Sequence, residues 1–313
     1  MRVVTTEETA ASLPYPALVE GLRAAFRSGM TAPLRHHHVM PREGEPDAVL
    51  LLMPAWAGNG TFGGVKLVNV TPGNSARGLP AVIASYLLFS EVTGEQLALL
   101  DGSVLTCRRT AAAAALAADY LARKDARTLL IVGAGRVGAE LYDAFSAIRP
   151  IGRVLVWNPT EARGQKLAET LRGRGVMAGF VSDLASAVGE ADIISCATLA
   201  QEPVIRGEWL KPGQHLDLIG SFTPEMREAD DAAIARGRLF IDTDAAKVES
   251  GDVIGPMASG ALSAEAIGGT LYDLCAGKPG RLDDEEITIF KGVGVAIEDL
   301  AAAMVAWERL AQG

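Results

Sequence analysis

The chain has 313 residues, of which 49% are hydrophobic and 21% charged, and 29 Lys and Arg stand against 38 Asp and Glu for a formal net charge of −9. This length and apolar content suit two ordinary globular domains, and the acidic balance argues against nucleic acid or an anionic membrane as main partner, though not against a locally basic site. Three scattered cysteines, Cys107, Cys196 and Cys275, exclude a disulfide framework or a cysteine metal cluster.

In chain order, RVV (residues 2–4) reads as a short strand. Residues 16–30 read as a helix with Leu18, Leu22, Ala25 and Phe26 at helical spacing and Gly29 as its stop. The N-terminal MRVVTTEETAASL has no apolar signal core, and no apolar run approaches the roughly 18 residues of a membrane span, so a cytoplasmic location is expected. Over residues 35–100 the pattern shifts to β-like runs: HHHVM, AVLLLMPAW, GGVKLVNV, AVIASYLLF and EQLALLD. Gly, Pro and Asn punctuate them, which predicts an antiparallel or mixed sheet.

Residues 106–123 are Ala-rich and predict a helix joining two domains. Arg108 and Arg109 fall where it begins. Cations are disfavoured at the positive end of a helix dipole, so two arginines there point to an anion opposite or, more plainly, to solvated side chains.

The next stretch, TLLIVGAGRVG (residues 128–138), carries the strongest local signal. An apolar strand runs into Gly133, Gly135 and Gly138 and then into a helix-like AELYDAFSAI. Gly133 permits the tight turn, Gly135 lets backbone approach a pyrophosphate, and Gly138 lets helix pack on strand, with helix N–H groups facing the phosphates. Strand and helix patterns then alternate: RVLVWN, EARGQKLAETLRGRG, VMAGFV, SDLASAVGEA with Ser182 as a cap, DIISCAT with a buried Cys196, HLDLIGS and RLFIDT. That alternation predicts a doubly wound parallel sheet. Residues 283–312 read as one last helix, acidic in its first turn and interrupted at Gly292 and Gly294.

Four groups of residues are candidates for chemistry. Lys66 shares a strand face with Val68 and Val70, placing it on a sheet edge or in a pocket. Arg35 suits a two-pronged hold on a carboxylate, or an ordinary exposed loop. His36, His37 and His38 alternate in direction along an extended segment, so they do not converge on one ion and no metal is expected. At the end of the second strand of the nucleotide fold, Asn158 stands where an acid would select NAD, with Thr160 and Arg163 following. Without that acid a 2′-phosphate is not repelled, so NADP(H) is favoured and NAD(H) is the alternative.

On these residues the chain resembles the ornithine cyclodeaminase/μ-crystallin family over almost its whole length. The most specific stretches are GVKLVNVTPGN, LDGSVLTCRRTAAAAALAADYLA, GAGRVG and KPGRLDDEEITIFKGVGVAIEDLAAA. The resemblance implies a Rossmann-type α/β nucleotide domain (residues 120–285) and an α+β substrate and dimerisation domain built from both chain ends (1–119 with 286–313). It implies that Arg35 and Lys66 bind the substrate carboxylate as the catalytic pair, and that Arg109 contacts the cofactor and borders the substrate. Gly133, Gly135, Arg136, Val137 and Gly138 would hold the pyrophosphate. Asn158, Thr160 and Arg163 would face the adenosine ribose, with Ala197 and Thr198 also in the cofactor set. Val293 and Gly294 would close over nicotinamide and substrate.

Two departures matter. Pro159 stands where NADP-using relatives often carry Arg. Phe222, in Gly220-Ser221-Phe222-Thr223-Pro224, replaces the Asp of the cyclodeaminase Gly-Gly-Asp-x-Pro loop and would line the substrate ring. The resemblance therefore implies a homodimeric NAD(P)H-dependent reductase of a cyclic α-imino acid. The alternatives are ornithine cyclodeaminase, an alanine dehydrogenase-like reductive aminase, and a non-catalytic nucleotide-binding protein.

Overall fold

The structure is a computed structural model that describes residues 1–312, so Gly313, the end of the expected C-terminal segment, lies outside the described residues. The chain divides into two units, Met1–Arg109 with the segment from Val295, and Thr110–Gly294. These limits stand near, but not at, the expected 119/120 and 285/286. The first falls inside a continuous helix, where no change of composition marks it.

The first unit holds β1 (Arg2–Val3), β2 (His36–Met40), β3 (Ala48–Trp56), β4 (Phe62–Val70), β5 (Val82–Ser90) and β6 (Gln96–Asp101), in the order β1-β6-β5-β4-β3-β2. β2 to β6 pair antiparallel and β1 joins β6 in parallel, so the sheet is mixed. The β-like runs read from sequence supply β2 to β6. The helix Tyr15–Ser28 ends at Gly29 in the left-handed conformation, φ 73°, which a residue without Cβ adopts at least cost. It packs on the C-terminal helix, Ala296–Gln312, which also lies on β3, β4 and β5. A Cβ on Gly21 would come within 2.5 Å of Val305 Cγ2, so glycine sets how closely these helices approach. An additional short helix, Thr6–Ala11, starts with a Thr5–Glu8 capping box.

The second unit is a parallel sheet of β7 (Thr128–Val132), β8 (Arg153–Trp157), β9 (Ala178–Phe180), β10 (Ile193–Cys196), β11 (His215–Leu218), β12 (Arg238–Ile241), β13 (Gly269–Thr270) and β14 (Thr288–Lys291). Its order is β13-β12-β14-β11-β10-β7-β8-β9, and every pairing is parallel. Strands such as TLLIV and IISC are apolar almost throughout because both faces of such a sheet are covered. The chain runs from β7 outward through β8 and β9, then returns to place β10 on the other side of β7. That reversal is the switch point at which parallel α/β sheets bind ligands, outside the carboxyl ends of the strands. No helix is long and apolar enough to cross a membrane among the described residues.

Three expectations are corrected. Residues 283–312 are not one helix: Thr288–Lys291 is a buried strand between β11 and β12, and the helix begins only at Ala296. A run of four residues, Thr-Ile-Phe-Lys, fits either period, and sheet pairing decides. The cap of helix Leu184–Glu190 is Asp183, which accepts from Ser186 N at 3.2 Å, and not Ser182. The Ala-rich helix starts at Gly102, not residue 106. Asp101 Oδ1 accepts the amides of Ser103 (2.9 Å) and Val104 (3.0 Å), adding a turn that a search for alanines overlooks. Arg108 and Arg109 therefore lie in the second helical turn, where the dipole argument does not apply.

Gly102 gives a test of which effect dominates at that helix start. Alanine is the better helix former by about 1 kcal/mol, but its Cβ would lie 2.7 Å from the backbone of Ser85. Overpacking against backbone costs about 1–3 kcal/mol, and so Gly102→Ala is expected to lower the urea midpoint. A raised midpoint would show that propensity dominates.

Candidate functional site

In the first unit the chemistry centres on Lys66. It lies mid-strand on β4, an inner strand, opposite Met53 of β3 and Tyr86 of β5, and is 2% exposed. Of the two sequence readings, the edge lysine is therefore excluded. The first turn of the C-terminal helix places Glu298 and Asp299 against it, both fully buried. Lys66 Nζ pairs with Asp299 Oδ2 at 2.7 Å, Arg109 Nε donates to Asp299 Oδ1 at 3.0 Å, and Arg109 Nη1 donates to Glu298 Oε2. Two buried cations thus meet two buried carboxylates.

The electrostatics follow from burial. Desolvation pushes the Lys66 ammonium down to about 8, Asp299 pulls the other way, and Arg109 and Arg35 add to the lowering. For Asp299 burial alone would raise the carboxyl, but the charges of Arg109 and Lys66 outweigh it and hold it below its ordinary value. Burial likewise opposes the charge of Arg109, and Asp299 and Glu298 more than restore it. The Tyr86 hydroxyl is buried without a hydrogen-bond partner, and burial, then Asp299, keeps it protonated. Arg35 is half-buried and its charge is felt at Lys66. Arg109 does face an anion, but one made of the chain's own carboxylates. Arg108 instead donates to Leu13 O at 2.9 and 3.1 Å and covers the Tyr15 ring. Neither Glu298 nor Asp299 was singled out from sequence, where they look like ordinary first-turn acids.

The second unit holds the nucleotide candidates. Gly133 follows β7 with φ 109°, a conformation that favours glycine. A Cβ there would lie 2.6 Å from the carbonyl oxygen of Ala197, beyond the end of β10, and one on Gly138 would overlap the carbonyl oxygen of Gly133. A Cβ on Gly135 would meet nothing, so that backbone is open to an approaching group. After the turn, Gly138–Glu140 is 3₁₀ and Leu141–Ser146 is α-helical, with Arg136 exposed and Val137 half-buried ahead of them. Asn158 Oδ1 accepts from Ala134 N at 2.9 Å and its Nδ2 donates to Thr160 O at 2.9 Å, so this side chain braces the glycine turn as well as ending β8. Thr160 and Arg163 are exposed beside it. A turn with this open backbone, at the switch point of a parallel sheet, fits the diphosphate of a dinucleotide.

Beneath the strand ends lie buried acids that the sequence reading missed. Glu228 accepts Thr198 N (2.7 Å), Thr198 Oγ1 (2.8 Å) and Gly220 N (2.6 Å). Asp242 Oδ2 accepts the amides of Val293 (2.7 Å) and Gly294 (2.6 Å), the latter at φ 80°. Burial raises the Asp242 carboxyl against the pull of the Gly294, Thr243 and Val293 amides. Phe222, two residues beyond Gly220, is 50% exposed. The structure therefore joins Gly133 to Ala197 and Thr198, and links Thr198 to the Phe222 loop. Lys66 and Arg109 come together in the other unit.

Comparison with known proteins gives matches over nearly the whole chain. The model of the ornithine cyclodeaminase/mu-crystallin family matches residues 2–313. The chain is 43% identical over 293 residues to the Delta(1)-pyrroline-2-carboxylate reductase of Paracoccus denitrificans, covering 90% of this chain and 92% of that one. It is similar to the structure of Thermococcus litoralis Delta(1)-pyrroline-2-carboxylate reductase in complex with NADH and L-proline, with a TM-score of 0.92 and 32% identity, covering 100% and 98% of the two chains. An archaeal alanine dehydrogenase dimer with bound NAD matches with a TM-score of 0.90 and 30% identity, covering 100% and 96%.

The buried charges make a stability prediction. Asp299→Ala would leave Lys66 and Arg109 with one carboxylate between them, at a cost of about 3–5 kcal/mol. Glu190→Ala, which breaks an exposed pair with Arg153, is expected to cost far less, because solvent screens it. Urea unfolding of the two variants checks the contrast, and equal losses would refute it.

Proposed function

The chain belongs to the ornithine cyclodeaminase/mu-crystallin family, and within it we propose that it is an NAD(P)H-dependent reductase of the C=N bond of a cyclic α-imino acid, Δ1-pyrroline-2-carboxylate or its six-membered homologue, giving L-proline or L-pipecolate. The observation that carries this reading is Phe222. Cyclodeamination needs proton transfers as one amine attacks and ammonia leaves, and a positioned carboxylate suits them. An exposed phenyl ring stands in that place. The relatives named as Delta(1)-pyrroline-2-carboxylate reductases support the same substrate class.

When bound, the reduced nicotinamide supplies the hydride equivalent for the imine carbon. The protein contributes binding and orientation. Arg35 and Lys66 hold the substrate carboxylate, and Arg109 stands in register with Lys66 through their shared Asp299. Phe222 offers an apolar surface to the ring. Gly133, Gly135 and Gly138 would cradle the diphosphate, Thr198 and Ala197 would border the cofactor, and Val293 and Gly294 would close over the nicotinamide and substrate.

For the cofactor we favour NADPH over NADH, since β8 ends without a carboxylate and Thr160 and Arg163 are exposed beside Asn158. The protein is read as a cytoplasmic homodimer. The support for pairing is an apolar outer face on the six-stranded sheet, where Trp56 (38%), Leu67 (39%) and Ile83 (46%) are exposed together.

Three outcomes are expected. Purified protein oxidises NADPH with Δ1-pyrroline-2-carboxylate or Δ1-piperideine-2-carboxylate and releases negligible ammonia from ornithine; robust ornithine-to-proline conversion, or a preference for pyruvate plus ammonia, would sink the assignment. Lys66→Met lowers kcat/KM by about tenfold or more, because a partly desolvated carboxylate loses a charged partner. Asn158→Asp shifts preference from NADPH towards NADH through charge repulsion; a wild type that binds NADH about tenfold better, a difference of about 1.4 kcal/mol, would overturn the NADPH assignment.

The titration of Lys66 supplies a fourth. Its ammonium is charged below its value of about 8 and neutral above. Pyrrole-2-carboxylate, a planar ring carboxylate without a competing amine, should therefore inhibit progressively more weakly as pH rises through that value. Inhibition that stays constant across that range would remove Lys66 from the carboxylate site.

A further inference from the structure

We propose that Glu228 is a positioning residue for nicotinamide-nucleotide binding, acting through Thr198 and Gly220; this rests on the reductase reading above. Glu228 lies in the segment that follows β11 and is fully buried. One carboxylate oxygen accepts both the amide and the hydroxyl of Thr198, and the other accepts the amide of Gly220. Thr198 lies beyond the end of β10 and Gly220 beyond the end of β11, on two neighbouring parallel strands. A single carboxylate therefore clamps two adjacent loops at the carboxyl edge of the sheet. Thr198 also borders the glycine turn, since a Cβ on Gly133 would lie 3.3 Å from Thr198 Cγ2.

The clamp is itself held from below. Asp252 Oδ1 accepts the amides of Glu228 (2.8 Å) and Ala229 (3.0 Å), and Lys291 Nζ donates to Leu218 O at 2.9 Å while lying 3.9 Å from Asp252 Oδ2. Gly220 admits the clamp because any Cβ there would overlap Thr198 O and Glu228 Oε1. Ser221 donates to Met226 O at 2.5 Å, so the loop that carries Phe222 is tied at two successive residues. A buried acid with no catalytic task would be costly to keep ionised. Its three donors all belong to the loops after β10 and β11, which is where a cofactor meets this fold.

The same contacts give the clamp a pH dependence. Burial pushes Glu228 up to about 7, Lys291 opposes the rise, Asp252 adds to it, and the Thr198 hydrogen bonds oppose it. Asp217, which burial also raises to about 7, and Cys196, whose thiol burial keeps protonated, are titratable groups that feel its charge. Ionised, the carboxylate accepts all three donors. Protonated, one of its oxygens must donate, and one loop amide or hydroxyl loses its acceptor.

The test is Glu228→Gln, isosteric but with a donor in place of one acceptor. Affinity is read from the fluorescence of NADPH or NADH, whichever the wild type binds more tightly. At about pH 8 the variant is expected to bind about tenfold more weakly, the effect of losing a hydrogen bond to a charged group. Its thermal midpoint should shift by no more than about 4 °C. At about pH 6 the wild-type carboxyl is itself protonated, so the ratio of the two dissociation constants should shrink towards one, and titration of the ligand cancels in that ratio. An unchanged affinity at the higher pH, or the same ratio at both, overturns the proposal; a lowered midpoint with unchanged affinity assigns Glu228 to structure alone. Should the variant not fold, the wild type with NADH, whose diphosphate does not titrate in this range, must itself bind more weakly at the lower pH, and a flat profile overturns the proposal. A wild type that binds neither nucleotide removes the reductase reading itself, and this proposal with it.

Discussion

Two cations cannot be buried in a protein interior unless anions are buried with them. In the first unit that condition is met by Glu298 and Asp299, which neutralise Lys66 and Arg109. The carboxylates sit almost at the C-terminal end of the sequence, nearly 200 positions beyond Arg109. The C-terminal helix must therefore lie over β3, β4 and β5 for the charges to balance. The small residues of its partner helix, Gly21 above all, allow that placement. Replacing such a cluster by apolar residues would often be neutral or stabilising, so its presence speaks for a task beyond folding.

The second unit meets a related constraint with different groups. Loops at the carboxyl edge of a parallel sheet expose amides that need acceptors. Here carboxylates supply them: Glu228 for Thr198 and Gly220, Asp242 for Val293 and Gly294, Asp252 for Glu228 and Ala229. Charged acceptors make stronger hydrogen bonds than neutral ones. Backbone held in this way presents fixed N–H groups and fixed contours to a ligand, which is the form of preorganisation that binding and hydride chemistry require.

One fold serves relatives named for different reactions. The same architecture serves relatives named as a Delta(1)-pyrroline-2-carboxylate reductase and as an alanine dehydrogenase, so the fold alone does not choose a reaction. In this chain Phe222 follows Gly220 and Ser221, whose backbone and hydroxyl are tied down by Glu228 and Met226. A phenyl ring on an anchored loop offers an apolar surface and no proton.

The sequence by itself determined the alternating elements of the nucleotide unit, the glycine turn, the strand runs of the mixed sheet, and the family through motifs near Lys66, Arg109 and the C-terminus. Each is a local pattern whose period or spacing survives without knowledge of partners. It left Lys66 between a sheet edge and a pocket, because strand order is a property of pairing and not of any one strand. It merged Thr288–Lys291 into the last helix, since a run of only four residues carries no decisive period. It passed over Glu298, Asp299, Glu228 and Asp242, which look like any other acids in a chain rich in them. Only tertiary structure withdraws those four from water and assigns their partners, and burial is what converts an ordinary carboxylate into a group that must hold something in place.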